Sequence, residues 1–216
     1  MKKKKVSNLI VFGIVLLNII AIVLAIILGL QEKHISTFFQ ERQTVTFISA
    51  VQITLSSLFC LFIFLIKKRV NLESTKKNIF WLINSLVFLL AAIDEYFMLH
   101  EGIDGDIATF FFGIKKNPHL DGLTLALYGV TACILFFKFK QEIKKMKQFL
   151  PVFYFGGFFF FLSITLDLKS TNEIQIILEE SCKLIAVGLL FSGILSIFVE
   201  ITKKIDIKLK DGITAL

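Results

Sequence analysis

Six long apolar runs divide the sequence, and they constrain its fold more than any other feature. They lie at residues 8–30, 46–66, 78–99, 121–137, 149–166 and 176–201. Each run approaches or exceeds the ~20 residues that an α-helix needs to cross about 30 Å of hydrocarbon. Hydrophobic residues make up 56% of the chain, which is more than soluble domains usually contain. The sequence therefore predicts an all-α fold, a six-helix transmembrane bundle that forms one integral membrane domain over residues 1–216.

The first apolar run follows a cluster of four lysines, as the core of a secretory signal would. Residues 8–30 are, however, much longer than the usual core of ~7–15 residues, and no small-x-small cleavage site stands out before Gln31-Glu32-Lys33. We therefore predict that this run is an uncleaved transmembrane helix.

Basic residues alternate strictly between the loops, and this alternation predicts the orientation. The N-terminus, residues 67–77, residues 138–147 and the tail after residue 201 hold 18 of the 24 lysines and arginines. Cytoplasmic segments near helix ends retain basic residues, so both termini are predicted to be cytoplasmic. The net charge of +7 follows the helix ends, which excludes nucleic acid as a partner and leaves membrane lipid as the expected one.

Acidic residues concentrate on the predicted outer half of the chain. Twelve of the 17 Asp and Glu residues and all three histidines lie there. The positive-inside rule concerns basic residues and does not account for this. The outer acids are Glu32, Glu41, Asp94, Glu95, Glu101, Asp104, Asp106, Asp121, Asp167, Glu173, Glu179 and Glu180.

The acids of the third predicted helix lie near its outer end. At about 1.5 Å per residue from Lys77, Asp94 and Glu95 lie about 25 Å across the membrane. Asp94 and Glu101 are seven residues apart and are predicted to share a helix face. Glu95 and His100 are predicted to point elsewhere.

A second pair of acids opens the sixth predicted helix. Glu179 and Glu180 lie about one turn inside this helix, at nearly the depth of Asp94 and Glu95. A carboxylate in hydrocarbon costs a few kcal/mol, so acids at this depth normally face a bundle interior or a wet cavity and have partners. The sequence therefore predicts a polar site between the third and sixth helices, near the outer face.

The third predicted helix ends in Asp94-Glu95-x4-His100-Glu101. This stretch resembles the Asp-Glu-x4-His-Glu signature of a group of uncharacterised small multi-pass bacterial membrane proteins. Many of that group also open a late helix with a Glu-Glu pair, similar to residues 179–180 here. Because the group has no known activity, the resemblance implies only that these positions belong to one site, in a multi-pass protein of the bacterial cytoplasmic (inner) membrane.

A divalent metal ion is the candidate cofactor of this polar site. Mixed carboxylate and imidazole ligands suit zinc, manganese or iron. The spacing matches neither the Glu-x2-His pairs of di-iron bundles nor the His-Glu-x2-His of hydrolases. The candidate ligands are Asp94, Glu95, His100, Glu101, Glu179 and Glu180.

Other functions stay open. A bound metal could activate water against a lipid headgroup, as in membrane zinc hydrolases of the ceramidase kind, although their paired histidines are absent.

Buried acids could carry protons or cations in a transporter, but no internal repeat, no broken helix and few polar residues in the inner half are evident. In a non-catalytic accessory or interaction protein, Glu179 would pair with Lys183 and the acids would stabilise the helix start.

Several smaller features favour packing roles. Cys60, Cys133 and Cys182 fall in three different apolar runs, so no disulfide framework is predicted. His34 and His119 lie in loops and are expected to be solvated rather than to act as ligands.

Small residues mark predicted helix contacts. Gly156-Gly157 in the fifth helix, and Gly188 with Ser192 in the sixth, are expected to let neighbouring helices approach closely.

Overall fold

The structure, a computed structural model, describes residues 2–40, 43–70, 75–97, 99, 129–131, 134–135, 137–167 and 172–213. Every regular element in these ranges is a helix. The α-helices are α1 Lys2–Gln31, α2 Thr44–Arg69, α3 Thr75–Phe97, the short α4 Lys140–Lys145, α5 Leu150–Asp167 and α6 Glu173–Ile213. A 3-10 helix, Ile35–Phe39, precedes α2.

Five of these helices are long and apolar enough to cross a membrane. They correspond to five of the six predicted runs. The fourth predicted run, 121–137, lies mostly outside the described residues, and its described positions 129–131, 134–135 and 137 are helical.

The surfaces of α1 and α5 also suit a membrane protein. Leu9 and Phe12 of α1 and Phe158 and Phe161 of α5 are between 59% and 71% exposed. In water such surfaces would be aggregation-prone, whereas lipid tails solvate them. The protein is therefore an all-helical, multi-pass membrane protein.

Helix α6 lies at the centre of the bundle. It packs against α1, α2 and α5, and α2 also packs against α3. At 41 residues, α6 is about 60 Å long and exceeds the thickness of a bilayer. These packing contacts place α2 between α3 and α6. Side chains that join α3 to α6 therefore do so beside α2.

The two ends of the bundle have different cores. Gln31, Thr44 and Phe97 mark the predicted outer end, and Arg69 and Thr75 mark the predicted inner end. An aliphatic and aromatic cluster near the outer end contains Ala25, Phe39, Val45 and Leu184. A larger cluster near the inner end contains Cys60, Ile63, Phe80, Trp81, Phe139, Phe149, Ile194 and Ile197.

A small cluster between them joins three helices at mid-bundle. Ile53 of α2, Ala92 of α3 and Val187 of α6 pack together there. Ala92 and Val187 each lie within two turns of a charged residue nearer the outer end, Asp94 and Lys183, so this apolar contact helps to fix the relative position of the charged residues on α3 and α6.

Only one of the paired glycines on α5 marks a close helix approach. A Cβ at Gly156 would lie 3.3 Å from the carbonyl oxygen of Ala186 on α6. A Cβ at Gly157 would meet nothing within 4 Å. The predicted packing role therefore belongs to the first glycine, whose position faces α6.

Candidate functional site

A buried lysine joins acids from two helices at the predicted outer end. The Lys183 Nζ atom lies 2.5 Å from Oε1 of Glu180 and 3.3 Å from Oε1 of Glu95. The side chains of Lys183 and Glu95 are only 13% and 12% exposed. Glu180 is buried as well. We call Glu95, Glu180 and Lys183 the lysine-centred cluster.

Regular helix geometry explains how the cluster forms. Glu180 and Lys183 are one turn apart on α6 and therefore lie on the same face. Glu95 lies two residues before the end of α3 at Phe97. Because Lys has a long flexible stem, its ammonium reaches across the α2 side of the bundle to the α3 carboxylate.

A serine on α2 completes the contact between the three helices. The Ser49 hydroxyl donates to Oε1 of Glu95. Ser49 Oγ also lies 3.0 Å from the carbonyl oxygen of Thr46. Since a hydroxyl has one hydrogen, it serves one of these acceptors at a time, and a carboxylate makes the stronger bond.

The predicted candidates adjacent to the cluster are also withdrawn from the surface. Asp94 is 5% exposed and Glu179 is half-buried. Asp and Glu are seldom fully buried unless they are paired. The sequence indicated Glu179 as a partner of Lys183, and the structure shows ion pairs of Lys183 with Glu180 and Glu95.

An amide pair extends the polar region toward the middle of the bundle. Asn18 Nδ2 donates to the carbonyl oxygen of Leu184 at 2.9 Å, and Gln52 Nε2 donates to Asn18 Oδ1 at 2.6 Å. Asn18, which is 1% exposed near the centre of the span Val6–Gln31, was not among the residues predicted for the site. The signal was an amide in the middle of an apolar run, since such residues normally face the bundle interior.

Gly188 makes room for this amide pair. A Cβ at Gly188 would lie 2.0 Å from Nδ2 of Asn18 and 3.3 Å from Oε1 of Gln52. The close approach predicted for this glycine therefore has a specific partner, a hydrogen-bonded side chain from α1.

Buried serines continue along the same helices toward the predicted inner end. Ser57 donates to the carbonyl oxygen of Ser85 at 2.7 Å, and Ser192 donates to that of Leu189 at 2.8 Å. Both hydroxyls are thus bonded to helix backbone. They add polarity to the inner half without adding charge. Among the described residues, the ion pairs of Lys183, in which both side chains are largely buried, lie at the predicted outer end.

The structure does not assemble the predicted metal ligands among its described residues. Within those residues, no group of three or more His, Cys, Asp or Glu side chains could hold a metal ion. His100 and Glu101 lie outside the described residues. The ligand set of Asp94, Glu95, His100, Glu101, Glu179 and Glu180 therefore stays a prediction.

The other singled-out residues are not members of the lysine-centred cluster or lie outside the described ranges. His34 is exposed, and its Nδ1 lies 3.6 Å from a carboxylate oxygen of Glu173. Cys60 and Cys182 are free thiols. His119 and Cys133 are not among the described residues.

Comparison with known proteins identifies a family but not an activity. No curated protein matches the chain. No solved structure matches it either. Residues 9–197 match the family described as "Domain of unknown function (DUF8692)". This match covers most of the 216 residues, including α2, α3 and the lysine-centred cluster. The chain therefore belongs to the DUF8692 family.

Proposed function

We propose that this protein is a six-helix protein of the bacterial cytoplasmic membrane, with both termini in the cytoplasm, and that its lysine-centred cluster binds a cation from the outer side. The observation that supports this most is the buried Lys183 ammonium between the carboxylates of Glu95 and Glu180. The alternation of basic residues between the loops supports the orientation.

The cost of burying charge favours a functional role for this cluster. Ionisable residues within a membrane are expensive and normally mark ion, proton or substrate sites. Here the last turn of α3 and residues 179–183 of α6 carry four acids, Asp94, Glu95, Glu179 and Glu180, and one lysine. The excess of negative charge attracts a second cation to the same place.

Lys183 holds the position that such a cation would take. Its ammonium already contacts two carboxylates, as a bound metal ion would. Its stem has four carbons and can swing away, so exchange of the ammonium for an incoming cation needs no helix movement.

The donor chemistry favours a divalent metal ion. Carboxylates with an imidazole suit zinc, manganese or iron. His100 and Glu101 follow Glu95 within six residues. They are the donors that would complete a coordination shell after Lys183 leaves. The Asp-Glu-x4-His-Glu pattern supports placing these residues at one site.

The metal content of full-length protein, purified in detergent, tests this proposal. We expect zinc, manganese or iron in the parent protein and its loss in Glu180→Gln and in Glu101→Gln. Glu142→Gln is the matched control, because Glu142 is another buried glutamate with a lysine one turn later, Lys145, at 3.0 Å. Metal retained in Glu180→Gln, or lost equally in the control, would contradict a site at the cluster.

A non-catalytic accessory role is the second candidate function. It is favoured by the same contacts, since Lys183 already provides both carboxylates with a positive partner. In that case no sample contains metal, and Glu180→Gln lowers the melting temperature in detergent. Metal in the parent protein that disappears with Glu180→Gln would exclude this role.

A further inference from the structure

A cavity of about 330 Å³ lies between α3 and α5, near the predicted inner end of the bundle. It is separate from the lysine-centred cluster, which lies at the opposite end. Helices α2, α3, α5 and α6 all contribute to its walls, and nearly all of the lining side chains are apolar. Its size is within the range of small-molecule sites, which are concave and mostly apolar with a few polar groups.

Two features of the walls show how a ligand could enter and be held. Tyr154 of α5 lines the cavity and is 63% exposed, so the cavity reaches the lipid-facing surface of the bundle. Trp81 of α3 also lines it and is 4% exposed. The buried Nε1–H of Trp81 has no hydrogen-bond partner among the described residues.

The buried indole of Trp81 favours a ligand with a hydrogen-bond acceptor. Tryptophan N–H groups usually find a partner when they are buried, because an unpaired donor in an apolar environment is costly. Trp81 lies three residues inside the span Asn78–Phe97, about 4.5 Å below its end. This is the interfacial depth that tryptophan prefers in membrane proteins.

Positive charge lies directly beside the indole. The Lys67 Nζ atom is 5.9 Å from the centre of the Trp81 ring. Lys67 is followed by Lys68 and Arg69 in the last turn of α2. Basic residues next to a membrane surface attract anionic lipid headgroups.

We propose that this cavity holds one acyl chain of an anionic phospholipid from the adjacent leaflet. The chain lies along the apolar wall from Trp81 toward Phe88, a distance of about 10 Å along α3. A small rotation of the indole, whose Nε1 is buried in this structure, lets the Trp81 N–H donate to an acceptor oxygen at the head of the chain, and the phosphate lies near Lys67. The chemistry that selects the ligand is therefore an apolar tail, an acceptor at interfacial depth and a negative headgroup.

Trp81 provides a direct probe, because it is the one tryptophan in the chain. Full-length protein is reconstituted in nanodiscs that contain a fixed fraction of dibrominated acyl chains, which quench nearby indoles. The bromines are placed either on phosphatidylglycerol or on phosphatidylcholine. We expect stronger quenching of Trp81 when the anionic lipid carries the bromines.

Two pairs of variants test the cavity and the charge separately. Val87→Phe fills the cavity and should weaken quenching, whereas Leu86→Phe, at an exposed neighbouring position on α3, should not. Lys67→Gln should lower the preference for the anionic lipid about fivefold, the effect of one lysine near a membrane surface, and the exposed Lys203→Gln should not.

Two results would overturn the assignment. Equal quenching by the two headgroups in the parent protein would exclude an anionic phospholipid. Equal effects of the two phenylalanine variants would exclude the cavity as the location of the chain. Because Lys67→Gln leaves the cavity walls unchanged, the headgroup test remains decisive if Val87→Phe does not fold.

Discussion

At the scale of single residues, Lys183 is unusual because its ammonium is largely buried and contacts the carboxylates of two helices. Removing one member of a buried ion pair leaves an uncompensated charge, which costs far more than the net contribution of the pair. Lys183 contacts two carboxylates at once, so its loss leaves both without this partner. The loss of stability on replacing Lys183 therefore depends on whether one of its partner carboxylates is replaced at the same time.

Replacing Lys183 by methionine should destabilise the protein by about 3–5 kcal/mol, as for other broken buried pairs. The double variant Lys183→Met, Glu180→Gln should be destabilised by less than the sum of the single variants, because the second change removes one stranded charge. Denaturant titration in mixed micelles measures both.

Lys204→Met is the control for this cycle. Lys204 pairs with Glu200 at 2.9 Å, but the two side chains are 59% and 22% exposed, so solvent compensates the remaining carboxylate and the loss should cost under about 1 kcal/mol. Additive effects of Lys183→Met and Glu180→Gln would show that the two side chains are not coupled.

Gly188 is the second residue at which a small change should have a large effect. In Gly188→Ala the new methyl group would overlap Nδ2 of Asn18, which lies 2.0 Å from the Cβ position. We expect a loss of about 1–3 kcal/mol, the usual cost of overpacking. Gly157→Ala, at a position with nothing within 4 Å, should be neutral or stabilising. Similar melting temperatures for the two variants would contradict the close approach of α1 and α6.

At the scale of elements, α1 is held to the bundle by an apolar cluster and by one buried polar side chain. Much of its surface is exposed to lipid, and Asn18 bonds it to both α2 and α6. An interhelical hydrogen bond in a membrane protein contributes about 0.6–2 kcal/mol. The directional Asn18–Gln52 hydrogen bonds therefore specify the position of α1 along α2, which the non-directional apolar contacts of α1 do not.

Asn18→Leu or Gln52→Leu alone should destabilise the bundle by about 1–3 kcal/mol, because each leaves a buried amide without this partner. Asn8→Leu, at an exposed position on the same helix, should have little effect. Thermal unfolding in detergent compares the three. Equal melting temperatures for Asn18→Leu and Asn8→Leu would mean that the amide pair does not hold α1.

Sequence periodicity and hydropathy predicted the individual helices well but not how they pack. Five predicted spans correspond to observed helices, since about 20 apolar residues are sufficient to specify a membrane helix. Helix α1 begins six residues before its predicted span, and α6 continues twelve residues beyond its own, because polar residues outside the apolar run can extend a helix. The position of α2 between α3 and α6 could not be predicted, because lipid-exposed and buried faces are both apolar. The sequence assigned Asp94 and Glu95 to different faces but could not tell which faces the lysine of α6.

At the scale of the whole molecule, charge is distributed unequally along the predicted membrane normal. Basic residues concentrate at one end of the bundle, where α2 ends in Lys67, Lys68 and Arg69. The buried ion pairs of Lys183 lie at the other end. A site for an outer-side cation and a site for an anionic lipid can therefore coexist, because they are separated by most of the membrane thickness.

Reporter fusions test the proposed orientation. A green fluorescent protein fused after residue 216 should fluoresce, and alkaline phosphatase fused at the same position should be inactive, because both termini are proposed to be cytoplasmic. Phosphatase fused after Glu32, in the loop between α1 and α2, should be active and serves as the positive control. An active phosphatase at the C-terminus would reverse the assignment of the two faces.

The most direct test of the proposed cation site is the metal dependence of stability in the presence and absence of Lys183. The melting temperature of full-length protein in detergent is measured during titration with Zn²⁺ and, separately, with Mn²⁺. A metal that binds the folded state raises the melting temperature by mass action. Because its ammonium competes for Glu95 and Glu180, Lys183→Met should reach half-maximal stabilisation at about tenfold lower metal, or ~1.4 kcal/mol. A melting temperature that neither metal changes, in the parent or in the variant, would contradict the proposal.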